Sequence, residues 1–168
     1  MDTSTGLLPD GLDQRLADTV RAGALMSVTG PDAAVAETAV NGVLDAGLPV
    51  VRIRLDSAGA SVAQPEFARL LAAELGLGRH GAAPWPVADV EERIEDELAR
   101  RGVVLVVHGS ERMLTEALYW LYRVWSRTAP GRRLTVVFTG SQGFDRVLAR
   151  PALADLKSCI FIHHRLAA

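Results

Sequence analysis

The sequence predicts a three-layer α/β/α sandwich built on a five-stranded, mostly parallel sheet. Three observations predict it. Short apolar runs recur between segments with helical spacing; strand and helix signals alternate along the whole chain; and the run Val103–Val107 carries no polar residue. Alternation of this kind implies right-handed crossovers with helices on both faces of the sheet. A wholly apolar five-residue run suits a strand covered on both sides.

Residues 1–10 form an expected flexible tail, and residues 11–168 an expected single domain. Over 11–22, Leu12, Leu16 and Val20 recur every fourth residue, the stripe of a short amphipathic helix. The run 24–29 (ALMSVT) is a buried strand ended by Gly30-Pro31-Asp32. Asp32 is a good N-cap for a helix over 33–46, which Gly47 ends. A second strand, VVRIRLD, follows Pro49 and runs to Asp56, and small residues from Ser57 to Ala63 make a loop. Pro65 and Glu66 open a helix through Leu75, with Gly76 beyond it. Residues 76–87, rich in glycine and proline, form a surface loop. Asp89 caps the next helix, in which Val90, Ile94 and Leu98 form one stripe that Gly102 closes. The third strand is Val103–Val107, a helix covers 111–127, and Arg132-Arg133 lead into a fourth strand, 134–139. Gly140–Gly143 turn into a helix near 144–149; Pro151 opens a short segment, and Ser158–His163 are the fifth strand.

The composition excludes several functions. No apolar run approaches the ~20 residues of a membrane span. The N-terminus has no basic stretch followed by an apolar one, so no signal peptide is expected. A lone cysteine, Cys159, precludes an internal disulfide and a cysteine-rich zinc centre. A net charge of −2 argues against general nucleic-acid binding, and the arginine pairs 52/54, 100/101 and 132/133 lack interleaved aromatics. The expectation is a cytoplasmic protein with neither a membrane nor a nucleic acid as partner. The chain has 17 arginines and one lysine, Lys157, so any lysine-dependent mechanism must use that position.

Ligands of such folds bind at the carboxyl ends of the strands. Those ends carry Thr29-Gly30-Pro31-Asp32, His108-Gly109-Ser110-Glu111 and Thr139-Gly140-Ser141-Gln142. With the VTGP start, the VVLVV strand, the LTVVFTGS strand and the final LKSCIFIHHRL segment, residues 20–166 resemble the P-loop ATPases, and within them the AAA+ and STAND group. The resemblance implies sheet order 5-1-4-3-2, a phosphate loop after strand one, acidic residues after strand three and a polar sensor after strand four.

The charged parts of those motifs are missing. In the pattern G-x-x-x-x-G-K-[ST], the second glycine lets backbone approach phosphate and the lysine adds fixed charge. Here Gly30 stands first, Val35 stands at the second glycine and Ala36 at the lysine, with Glu37 or Thr38 next. Val35 is expected to obstruct the cradle and Glu37 to repel a triphosphate. His108 and Gly109 replace the magnesium-binding carboxylates; neither is a hard oxygen ligand. Glu111 is expected to begin the following helix. The chain therefore resembles inactive STAND domains, with no cofactor, no metal and no catalytic residue expected.

Other features carry rival readings. Thr139-Gly140-Ser141-Gln142-Gly143 approaches a G-x-S-x-G nucleophile elbow, with His163 or His164 and Asp145 or Asp155 as partners; the plainer reading is a helix-capping serine. Neighbouring His163 and His164 point to opposite faces of a strand and cannot chelate one ion, so an exposed strand end is expected. His108 is expected to bond a neighbouring loop, and Cys159 to be a small core residue. The helix over 111–127 is apolar around its circumference. Leu114, Leu118, Leu121 and Val124 or Trp125 can face the sheet. Met113, Trp120 and Tyr119 or Tyr122 then point elsewhere, either to a partner or to the helix 11–22 packed over them.

Three functions follow: a non-catalytic module working through protein contacts, including self-association, in bacterial signalling or conflict; a nucleotide switch with a non-standard phosphate loop; and a serine hydrolase using Ser141.

Overall fold

The computed structural model describes residues 11–44, 47–55, 61–77, 86–128 and 134–167. The expected tail, Asp56, most of the Ser57–Ala63 loop, most of the 76–87 loop and Arg132-Arg133 lie outside the described residues. The chain runs α1 (Leu12–Ala22), β1 (Leu25–Gly30), α2 (Ala33–Val43), β2 (Val50–Arg54), α3 (Gln64–Glu74), α4 (Val87–Arg101), β3 (Val104–His108), α5 (Thr115–Thr128), β4 (Thr135–Ser141), α6 (Gly143–Leu148), α7 (Ala154–Cys159) and β5 (Ile160–Arg165). The five strands lie in the order β2-β3-β4-β1-β5, every pair parallel. That is the expected 5-1-4-3-2 arrangement.

The burial of each strand follows its place in the sheet. Central β1 and β3 are buried at every residue, and β4 at every residue but its last. The edge strands β2 and β5 alternate, with Arg52, Arg54, Phe161, His163 and Arg165 outward. On one face, Met26, Val28, Val106 and Val137 pack with Leu12, Leu16, Ala36 and Val40 of α1 and α2. On the other, Leu25, Leu105, Val107, Val136 and Phe138 pack with α3 to α7. On that side Glu97 is buried near the end of α4, paired with Arg100 and Arg101, and Arg100 first among these holds its carboxyl below the usual range.

Several elements depart from expectation. α2 ends at Val43, with Leu44 extended, short of the expected end at 46 and Gly47. α4 starts at Val87 after Pro86, so Asp89 sits inside the first turn rather than before it. The expected helix 111–127 is broken. Ser110–Arg112 form a 3-10 turn, and Met113 then runs extended because it bridges Val62: Val62 N–H donates to Arg112 O (2.7 Å) and Leu114 N–H to Val62 O (2.9 Å). α5 begins only at Thr115, leaving Leu114 outward instead of on the sheet. Residues 154–159 are helical, with Leu153 and Leu156 buried three apart, so β5 starts two residues later than expected. Cys159 is half-buried, its Sγ 3.8 Å from the Tyr122 hydroxyl, not a core residue.

Candidate functional site

The carboxyl edge of the sheet is built around the turn from β1 to α2. Only Pro31 and Asp32 separate the last strand residue, Gly30, from the first helical residue, Ala33. Asp32 is extended, and its carboxylate accepts the Val35 N–H at 2.9 Å. An N-cap aspartate fills the place where a helix N-terminus would otherwise offer its N–H groups to an anion. A side chain at Gly30 would be in tight contact here. A Cβ on it would stand 3.3 Å from Val35 Cγ1 and 3.4 Å from the Asp32 carbonyl oxygen.

Val35 is exposed on the first turn of α2, its Cγ1 lying over Gly30. Ala36 is fully buried under the helix, and Thr38 is exposed. Glu37 turns toward β2, where its carboxylate pairs with Arg54 Nε at 2.8 Å. A nucleoside triphosphate with magnesium does not fit these residues: the helix N-terminus already holds a carboxylate, and the position expected for a lysine faces the core.

At the next two strand ends, His108 is buried and its Nδ1 lies 2.7 Å from Thr139 Oγ1 on β4, its register partner. This partner of Nδ1 is a strand neighbour. Gly109 turns the chain at φ 77°, and Ser110 Oγ donates to Val107 O. Glu111 does not begin α5. Its carboxylate reaches across to accept the Ser141 N–H at 3.1 Å, lying against Gly140. Ser141 Oγ accepts the Gly143 N–H at 3.2 Å, an i→i+2 turn just ahead of α6, whose N-cap position is Gln142.

His163, His164 and Asp145, named with Ser141, are engaged elsewhere. His163 Nδ1 lies 2.9 Å from Ser27 Oγ, and Asp145 pairs with Arg165 at 3.3 Å. His164 points to the other face, is buried, and has Arg15 Nη1 3.0 Å from its Nδ1. The opposite orientation of the two histidines and the exposure of His163 match the expectation; His164 is buried instead.

α5 packs with α3 and α4 in the core on one face of the sheet. Met113, Trp120 and Trp125 are buried: Trp120 meets Phe67 edge-on at 6.2 Å, and Trp125 Nε1 donates to Gly23 O at 3.1 Å. The helix 11–22 lies on the opposite face and does not cover them. Tyr119 is 39% exposed and neighbours half-buried Tyr122 at 6.0 Å. Of the interaction candidates, Tyr119 is therefore the one displayed, beside exposed Leu114.

The sequence did not reveal Ser27–His163, Arg15–His164 or Glu111–Ser141. A lone serine in the apolar run ALMSVT was a signal that a partner existed, since a buried hydroxyl needs one. Which residue it meets depends on register. Among the described residues no cluster of His, Cys, Asp or Glu could hold a metal ion, and no helix is long and apolar enough to cross a membrane.

An all-parallel 5-1-4-3-2 sheet with helices on both faces and a strand–turn–helix at its first central strand is the P-loop NTPase architecture of AAA+ type. Solved structures agree. The Aeropyrum pernix ORC2 protein in its ADPNP–ADP complexes superposes over 100% of this chain with a TM-score of 0.67 at 17% identity. The Aeropyrum pernix ORC1 protein in complex with DNA covers 95% at a TM-score of 0.58 and 18% identity. Drosophila ORC bound to AT-rich DNA and Cdc6 covers 94% at 0.56 and 13%. This chain spans 48%, 45% and 52% of those chains, respectively. No protein-family model and no curated protein matches the sequence.

Proposed function

We propose that this chain is an AAA+-type P-loop module that holds no nucleoside triphosphate and works through contacts with another protein or a second copy of itself. Asp32 carries the reading: its carboxylate caps α2 two residues after β1, so the fold's usual phosphate site is closed by the chain's own anion. The sole lysine supports it, because Lys157 is on α7 and not on the turn. The inactive STAND-like character and a role in bacterial signalling or conflict rest on the sequence resemblance, as analogy. The face offered for contact is the groove lined by Leu114, Thr115, Glu116, Tyr119, Ala152 and Asp155.

The test is thermal unfolding with ATP, GTP or ADP, each with magnesium, alongside light scattering after size exclusion. Ligand at 100 times its Kd stabilises a native state by about 2.7 kcal/mol. No saturable shift is expected. A saturable shift that Asp32→Asn enhances would overturn the nucleotide-free reading. In the assembly arm, Tyr119→Arg is expected to change the oligomer or the captured partner; an unchanged profile removes this face. Duplex DNA is included because two of the similar structures contain it; the net charge of −2 favours a protein partner.

A further inference from the structure

A cavity of about 380 Å³ opens beside β5, on the face of the sheet opposite α2. It is lined by Asp145 and Leu148 of α6, Lys157 of α7, and His163 and Arg165 of β5. Small-molecule sites begin at about 300 Å³. Three of its five lining residues are basic and one is acidic. They come from three separate elements, and the chain's only lysine is among them.

The cavity's parts are positioned by the fold. His163 and Arg165 stand two apart on β5 and so share a face with Ser27 and Thr29, their register partners on β1. Ser27 is buried, and its hydroxyl lies 2.9 Å from His163 Nδ1, which fixes the ring plane. A hydroxyl can donate to a neutral ring and accept from a charged one, so this contact survives either protonation state. Arg165 uses Nε toward Asp145 at 3.3 Å, and its guanidinium has further donors beyond that one. One carboxylate thus faces an ammonium, a guanidinium and an imidazole.

We propose that this cavity binds a phosphate monoester dianion, free or carried on a small molecule, through Lys157 and Arg165 with His163 as its titratable wall. Lys157 and Arg165 less Asp145 leave one positive charge, and His163 adds the second when it takes up a proton, so a dianion is matched by the protonated site; a tetrahedral group can also be contacted from three sides by three elements. A planar monovalent carboxylate satisfies neither condition as well. The site is independent of the β1–α2 turn, so it stands or falls apart from the nucleotide-free reading.

Burial first, then Lys157 and Arg165, hold the His163 pKa below its ordinary value, while Asp145 and the Lys157 carbonyl oppose them. A bound dianion offsets the two cations and raises that pKa. The test follows the ring resonances of His163 by NMR across pH, with His164 on the opposite face as internal control, while inorganic phosphate, glycerol phosphate or acetate is titrated at constant ionic strength. A saturable upward shift confined to His163 is expected with phosphate or glycerol phosphate, the tighter of the two naming the source. Lys157→Met and Arg165→Gln, both at exposed positions, should each weaken it about tenfold, the effect of losing one charge-assisted hydrogen bond. Asp32→Ala should leave it unchanged. An acetate response equal to phosphate's, an unsaturable drift, or a shift that persists in both variants would overturn the proposal.

Discussion

Gly140→Ala tests how the sheet edge is held. Gly140 has no left-handed φ, so alanine suits its backbone, and the cost must come from space. The added Cβ would stand 2.2 Å from Glu111 Oε2 and 3.3 Å from its Cδ. The obstacle is the end of a flexible side chain, so Glu111 swings away and the cost is its hydrogen bond from the Ser141 N–H. A hydrogen bond to a charged group is worth about 1.5–3 kcal/mol. For a domain of this size that is ~3–12 °C in Tm. Glu111→Ala removes the same bond and should cost a similar amount. The double variant Gly140→Ala/Glu111→Ala should cost little more than either alone, because the methyl then meets no carboxylate. Urea denaturation of all four proteins closes the cycle. Additive losses would refute the reasoning, since they would mean that the methyl strains something other than Glu111.

Trp125→Ala should destabilise by about 3–5 kcal/mol, as buried tryptophans do, because it empties the core beside Tyr122 and frees the Gly23 carbonyl; Tyr119→Ala, at an exposed ring, should stay within about 0.5 kcal/mol, and equal losses in the two would place α5 wrongly. His163 has its folded-state pKa depressed, so its contribution to stability is full above the unfolded value of about 6.5 and declines as pH falls through the folded one. His163→Gln should therefore flatten the loss of Tm between about pH 7 and 5, and an unchanged slope would show that the ring's burial does not bear on folding. Asp32→Ala should cost about 1 kcal/mol, the usual worth of an N-cap, read from the same denaturation curves.

Much of the fold was legible because it depends on local pattern. Val103–Val107 can only be a strand covered on both sides, and Asp32 and Gly102 mark helix ends by chemistry that needs no tertiary context. The strand order came from resemblance, not from the pattern. What stayed hidden depends on residues far apart in sequence. The extended Met113 is set by Val62, about fifty positions earlier. The apolar circumference of α5 showed that it must be covered, but not that α3 and α4, rather than a partner or α1, supply the cover. At the site, the missing lysine was plain, whereas the engagement of Glu111 with Ser141 and of His163 with Ser27 needed the register.

On the proposed reading, the early start of α2 after β1 also bears on what a nucleotide site here would need. Writing glycine and lysine at positions 35 and 36 would not rebuild the lost motif, because Ala36 is fully enclosed and an ammonium there would be driven into hydrocarbon. A phosphate cradle at this turn would need residues 33–35 to leave the helix, since Gly30 to Ala36 already has the residue count of the G-x-x-x-x-G-K pattern.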